Sequence, residues 1–136
     1  MAAMKARRSA ERFRLIPYIG SALACEAWVH WRIGDTMAAR RLAEEASRWW
    51  AQATHCFPFQ WLASFILLDL HYAQDDFVAA GLVIEQLLDD RQQQFPNRLD
   101  ASLLACAIKL RCEGGARAAS LALRNVLELA NEYAYL

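Results

Sequence analysis

Gly34-Asp35-Thr36-Met37-Ala38-Ala39 returns as Asp75-Asp76-Phe77-Val78-Ala79-Ala80 and again as Gly114-Gly115-Ala116-Arg117-Ala118-Ala119. The paired alanines stand 41 and 39 residues apart. Glycine or aspartate at the head of each segment suits a tight turn and the N-cap of a following helix. Beyond each pair the apolar spacing is helical: Ala39, Leu42, Ala43 and Ala46, then Ala80, Val83, Ile84 and Leu87, then Ala119, Ala122, Leu123 and Val126.

Working upstream, a proline lies about twenty residues before each landmark, always after a large apolar residue: Ile16-Pro17, Phe57-Pro58 and Phe95-Pro96. These dipeptides are 41 and 38 residues apart, and alanine follows five residues later at Ala22, Ala63 and Ala101. Proline suits a first helical turn, where its missing N–H has no partner to lose. Each unit therefore reads as proline, helix A, a short turn and helix B. Helix A is expected near 17–33, 58–74 and 97–113, and helix B near 36–53, 76–94 and 116–133. Small residues where the two helices cross let their backbones approach. No run of alternating β-branched residues suggests a strand. The expected fold is all-α, with three antiparallel helical hairpins stacked as a short solenoid, about the fewest that make a stable one. The repeats fall at about 15–54, 55–94 and 95–136, after a basic N-terminal tail over 1–14.

The chain has the length of one domain, and 136 residues suffice to bury about two-thirds of the unfolded surface. Fifteen basic residues balance fifteen acidic ones, so no global field draws in nucleic acid, anionic membrane or acidic substrate. The first fourteen residues are the exception: Lys5, Arg7, Arg8, Arg12 and Arg14 against Glu11 leave +4 there and −4 elsewhere. Such a tail reads first as a solvated, frayed terminus and second as a phosphate or acidic-partner contact. The longest apolar run, Trp61 to Leu68, is interrupted by Ser64 and is far shorter than a membrane span. With no signal peptide visible, the expected compartment is the cytoplasm. The beginning at Met1 favours a whole protein and the end at Leu136, directly after a helix, favours an excised segment. Cys25, Cys56, Cys106 and Cys112 form no close pair, and all four are expected as small buried hydrophobes.

No phosphate-binding, dinucleotide-binding, metalloprotease or nucleophile-elbow motif occurs, so catalysis and cofactors are not expected. His30 and His71 occupy one repeat position, 41 residues apart, while His55 stands alone. They read as a metal or proton-switch pair, or as aromatic fillers near the hairpin turn; no carboxylate or thiol joins them at ligand spacing, so no metal is expected. Asp75-Asp76 reads as a helix cap, and Glu44-Glu45 and Asp89-Asp90 as solvated faces, since adjacent helical side chains diverge.

The alanines at Ala27 and Ala107, with Ala39, Ala80 and Ala119, resemble the tetratricopeptide pattern of small residues packed between two helices, with Leu68 in the middle helix A position. A closer resemblance is to the repeat region of large LuxR-type regulators of the maltose-regulator (MalT-like) class. It rests on Leu103-Leu104-Ala105-Cys106-Ala107, Glu113-Gly114-Gly115, Ala118-Ala119, Leu121 through Ala130 with Tyr133, and Gly34-Asp35 with Arg40 through Ala46. The resemblance implies a tetratricopeptide-like right-handed solenoid and a protein-interaction or effector-sensing module of a transcriptional regulator. In that class the repeats stand between an ATPase module and a DNA-binding helix-turn-helix, neither of which lies in this chain. The alternative is a stand-alone adaptor or secretion chaperone holding a helical or peptide partner in its concave groove.

Threading the positions that face such a groove selects Ala24, Trp28, Trp31 and Arg32, then Leu62, Phe65, Asp69 and Tyr72, then Leu104, Ile108, Arg111 and Cys112. The candidate groove residues are Trp28, Trp31, Arg32, Phe65, Asp69, Tyr72, Ile108 and Arg111. Arg32 and Arg111 would face Asp69 across an aromatic surface suited to a protein or peptide partner, or to a small apolar effector. The other reading of the tryptophans is inter-repeat core or a homodimer face. The last helix, with Leu121, Leu127, Leu129, Tyr133, Tyr135 and Leu136, is expected to leave an apolar outer face for a dimer or a further repeat. No direct nucleic-acid contact and no membrane contact are expected of this segment.

Overall fold

A computed structural model describes residues 2–53, 57–112 and 115–136. Its described residues form seven helices and no strand: α1 (Ala2–Arg12), α2 (Ile16–Arg32), α3 (Thr36–Ala51), α4 (Trp61–Tyr72), α5 (Phe77–Leu87), α6 (Asn97–Arg111) and α7 (Gly115–Glu132).

One turn recurs through the chain. At the end of α2, Asp35 N–H reaches back to His30 C=O at 2.9 Å and Gly34 N–H to Trp31 C=O at 3.1 Å. At the end of α4, Asp76 N–H bonds His71 C=O at 3.0 Å and Asp75 N–H bonds Tyr72 C=O at 3.1 Å. The residue after each helix is left-handed, Gly34 at φ 82° and Asp75 at φ 54°, which is the Schellman geometry that satisfies the last carbonyls. The next aspartate then caps the following helix: Asp35 accepts from Ala38 N–H and Asp76 from Ala79 N–H, both at 3.1 Å. The same turn closes α1 at Arg14 (φ 52°) and α7 at Ala134 (φ 60°). The equivalent expected at Gly114 lies outside the described residues.

Helices pair as α2 with α3, α4 with α5 and α6 with α7. Ala27 and Ala39 in the first pair, and Leu68 and Ala80 in the second, are completely buried. Both α2 and α3 pack on α4, and α5 packs on α6. Among the described residues α6 makes no close contact with α4; α7 fills that place. The core follows this arrangement, with Leu23, Phe65, Ile66, Leu68, Ile84, Leu99, Leu103, Leu123 and Val126 fully enclosed.

Four expectations need correction. Residues 2–12 are a helix packed on α2, with Ala10 buried and Arg7 3.3 Å from the enclosed Glu26 carboxylate; its apolar face is made of alanines, which carry little hydrophobic signal among the charges. Of the three prolines, Pro17 alone sits inside a first helical turn; Pro58 lies in the turn before α4, and Pro96 is the N-cap of α6. The middle helix B stops at Leu87 rather than 94, because Asp89 collects the Arg91 backbone N–H at 2.9 Å and its guanidinium at 2.6 Å. Gln92 and Gln93 then tie the linker to Phe57 C=O and Pro58 C=O. Finally, α7 does not present an apolar outer face: Leu127, Leu129 and Leu136 are buried, leaving Leu121 as its large exposed hydrophobe. The left-handed Ala134 turns Tyr135 back onto Trp61, Phe65 and Phe95. No helix among the described residues is long and apolar enough to cross a membrane.

Candidate ligand cleft

The outward face of α2 carries Tyr18, Ser21, Ala22, Cys25, Trp28 and Val29 at helical spacing. Two walls rise beside it. Ala2, Ala3, Ala6, Ser9 and Ala10 of α1 form one, and Trp61, Leu62, Ala134 and Tyr135 form the other. Together they enclose a cleft of about 960 Å³, at the upper end of the range for ligand sites. Among the described residues no charged side chain lines it. Tyr18 is 63% exposed and Trp28 41% exposed, so both aromatic rings face open space.

Each boundary has a local cause. The Arg14 turn sends α2 back against α1, and the short alanine side chains leave room between them. The far wall is held by aromatic packing: Trp61 meets Tyr135 edge-on at 4.8 Å, and Tyr135 meets Phe95 edge-on at 5.2 Å. The Trp61 indole N–H donates to Gln93 at 3.1 Å. Ser21 Oγ donates to Pro17 C=O at 3.0 Å. Arg32 lies over the Trp28 ring, 5.4 Å from its centroid.

The expected groove residues divide. Trp28 lines the cleft and Arg32 stands beside it. Trp31 is half-buried and donates its indole N–H to Asp69 at 2.8 Å, joining α2 to α4. Phe65 is fully buried and lines no surface, and Tyr72 packs against the core. Ile108 and Arg111 lie on the outward side of α6, where Arg111 pairs with Glu85 at 2.9 Å. α7 rather than α6 packs on α4; Arg32 lies over Trp28, Asp69 accepts from Trp31, and Arg111 pairs with Glu85. Tyr18, Ser21, Cys25, Trp61, Tyr135 and the α1 alanines were outside the sequence-based selection. The detectable signal was Ala3, Ala6 and Ala10, one helical stripe inside a segment dominated by arginine.

The cysteines are not uniformly buried. Cys25 and Cys112 are exposed, and Cys106 is enclosed, where burial pushes its thiol up to about 11. Burial, and then Glu26, raises Cys25 above its ordinary value. Cys56 and His55 lie outside the described residues. His30 Nδ1 stands 3.1 Å from the capping Asp35, and His71 Nδ1 3.7 Å from the capping Asp76, so the repeated histidines flank the two turns. No cluster of three metal-ligating side chains forms among the described residues.

Comparison with family models, curated proteins and solved structures finds no match.

Proposed function

We propose that this chain is a helical-repeat binding module, the protein-interaction or effector-sensing segment of a LuxR/MalT-like transcriptional regulator. In this reading the pairs α2–α3, α4–α5 and α6–α7 are three antiparallel hairpins of a short tetratricopeptide-like right-handed solenoid, with α1 covering its first face. The chain binds and does not catalyse. Its ligand is a protein segment or small apolar effector, and DNA contact belongs to other parts of the regulator.

The observation that supports the reading is the charge-free cleft over α2, with Tyr18 and Trp28 open to it. Apolar surface of this extent on a small domain is characteristic of a contact site, and aromatic residues are favoured anchors. The test is binding of 1-anilinonaphthalene-8-sulfonate, an anionic aromatic dye that fluoresces against apolar surface, to the whole chain. Trp28→Ala with Tyr18→Ala is expected to abolish binding at unchanged melting temperature. Retained binding by the double variant rejects the cleft, and so does a parent chain that binds neither this probe nor a helical peptide.

A stand-alone adaptor or chaperone would use the same cleft; its length along α2 favours a peptide occupant. The mass of the native polypeptide in its own cells separates the two. A band far above 15.4 kDa supports the regulator, and one at 15.4 kDa supports the adaptor.

A further inference from the structure

We infer that the cleft receives a three-turn amphipathic helix whose apolar stripe is bordered by carboxylates. This rests on the reading of the cleft as a binding site and names its occupant. The floor runs along α2 from Tyr18 to Val29, about 16 Å at 1.5 Å per residue, which is three turns of a docked helix. The α1 wall presents Ala2, Ala3, Ala6 and Ala10, whose small side chains let a second helix backbone come close.

The rims supply the charge. At about 100° per residue, Lys5 falls roughly 100° from Ala6, beyond the lining stripe and on the side opposite Arg7; Arg12 follows at about 120°, with its guanidinium over the Phe13 ring at 5.8 Å. Arg7 turns toward Glu26 and Glu11, at 3.3 Å and 3.7 Å, so those carboxylates are engaged away from the mouth. Arg32 over Trp28 adds a cation at the α2 edge. An apolar floor bordered by cations matches an apolar stripe bordered by Asp or Glu, and it repels a basic amphipathic helix.

The test uses the whole chain and two fluorescein-labelled, hydrocarbon-stapled peptides of three to four turns. Both carry leucine at i, i+3, i+4 and i+7; one is bordered by glutamate and the other by lysine. Fluorescence anisotropy at low salt is expected to show the glutamate peptide binding at least ten-fold tighter. The gap should close toward 1 M salt, where screening acts within about 3 Å. Lys5→Glu with Arg12→Glu should invert the preference, and Arg32→Glu, which leaves α1 untouched, should reduce it. Equal binding of both peptides overturns the acidic border while leaving the cleft as a binding site. Binding of 1-anilinonaphthalene-8-sulfonate without either peptide overturns the helix and also leaves the cleft. No binding of any probe rejects the cleft and the inference with it. A concentration-dependent dimer broken by Tyr18→Arg makes a second copy of the chain the occupant, which overturns the assignment.

Discussion

Gly20 of α2 lies directly beneath the indole of Trp50 in α3, so close that a Cβ built on Gly20 falls 2.6 Å from Cε2 and 2.8 Å from Cδ1 of that ring. The indole N–H donates to Pro17 C=O at 3.0 Å, and the ring stacks on Phe57 at 5.7 Å. Trp50 therefore locks the start of α2 to the end of α3, and it has no freedom to retreat. Gly20→Ala is expected to cost about 1–3 kcal/mol from overpacking, against the roughly 0.5–1 kcal/mol that alanine returns in a helix interior. Gly81 is the matched contrast. Its added Cβ would meet Leu110 at 3.9 Å, an ordinary contact, so Gly81→Ala should stabilise by about 0.5–1 kcal/mol. Urea unfolding of both variants checks the pair, and a stabilised Gly20→Ala would contradict the packing of Trp50.

Trp31 of α2 and Asp69 of α4 are joined by a hydrogen bond of 2.8 Å. Trp31→Phe keeps most of the ring and removes the donor, leaving a half-buried carboxylate without this partner. A loss of about 1–3 kcal/mol is expected. Asp69→Asn keeps an acceptor and should lose less. A double-mutant cycle over the two positions should return a coupling of about 1 kcal/mol or more. Additive losses would mean that the two side chains do not meet in solution.

The His71 imidazole makes the fold sensitive to mild acid. Burial holds it below the ordinary histidine value and Arg40 adds to this, against the opposing pull of Asp76 and Glu44. In the unfolded chain the ring takes up a proton near pH 6.5, while in the fold it resists doing so. Protons thus favour the unfolded chain. The stabilisation is full above pH 6.5 and declines as pH falls from there toward the lower folded value. Urea midpoints at pH 7.5 and 5.5 should fall more for the parent chain than for His71→Gln. Equal slopes would show that the ring is not desolvated.

The turns were the most legible part of this fold. Gly34-Asp35 and Asp75-Asp76 each combine a residue suited to the left-handed position with an N-cap, so local chemistry alone marks them. Helix pairing followed from the spacing between them. The placement of α6 was not legible, because docking α7 on α4 depends on how Leu127, Leu129, Tyr135 and Leu136 fill space against distant aromatic rings. The cleft was half legible for a similar reason. Trp28 stood out by residue type, but its facing wall is alanine in a basic segment, and burial of alanine leaves almost no mark on hydrophobic periodicity. Phe65 shows the converse, an aromatic residue at a groove-facing register that neighbouring rings enclose.

The thiols offer a readout of the cleft that needs no fluorophore. Cys112 and Cys25 are exposed and Cys106 is enclosed, with its thiol pushed up to about 11. Thiolate is the reactive form, so at pH 8 a disulfide reagent should label Cys112 quickly and Cys106 only on unfolding. Cys25 should label more slowly than Cys112, because burial and the neighbouring Glu26 raise its thiol. It also lines the cleft, which Cys112 does not. An occupant seated over α2 should therefore slow labelling at Cys25 several-fold and leave Cys112 unchanged. Peptide mapping after a timed pulse, with and without the glutamate-bordered peptide, measures both rates in one sample. Protection of both cysteines would point to a global change in stability, and protection of neither would place the peptide elsewhere on the molecule.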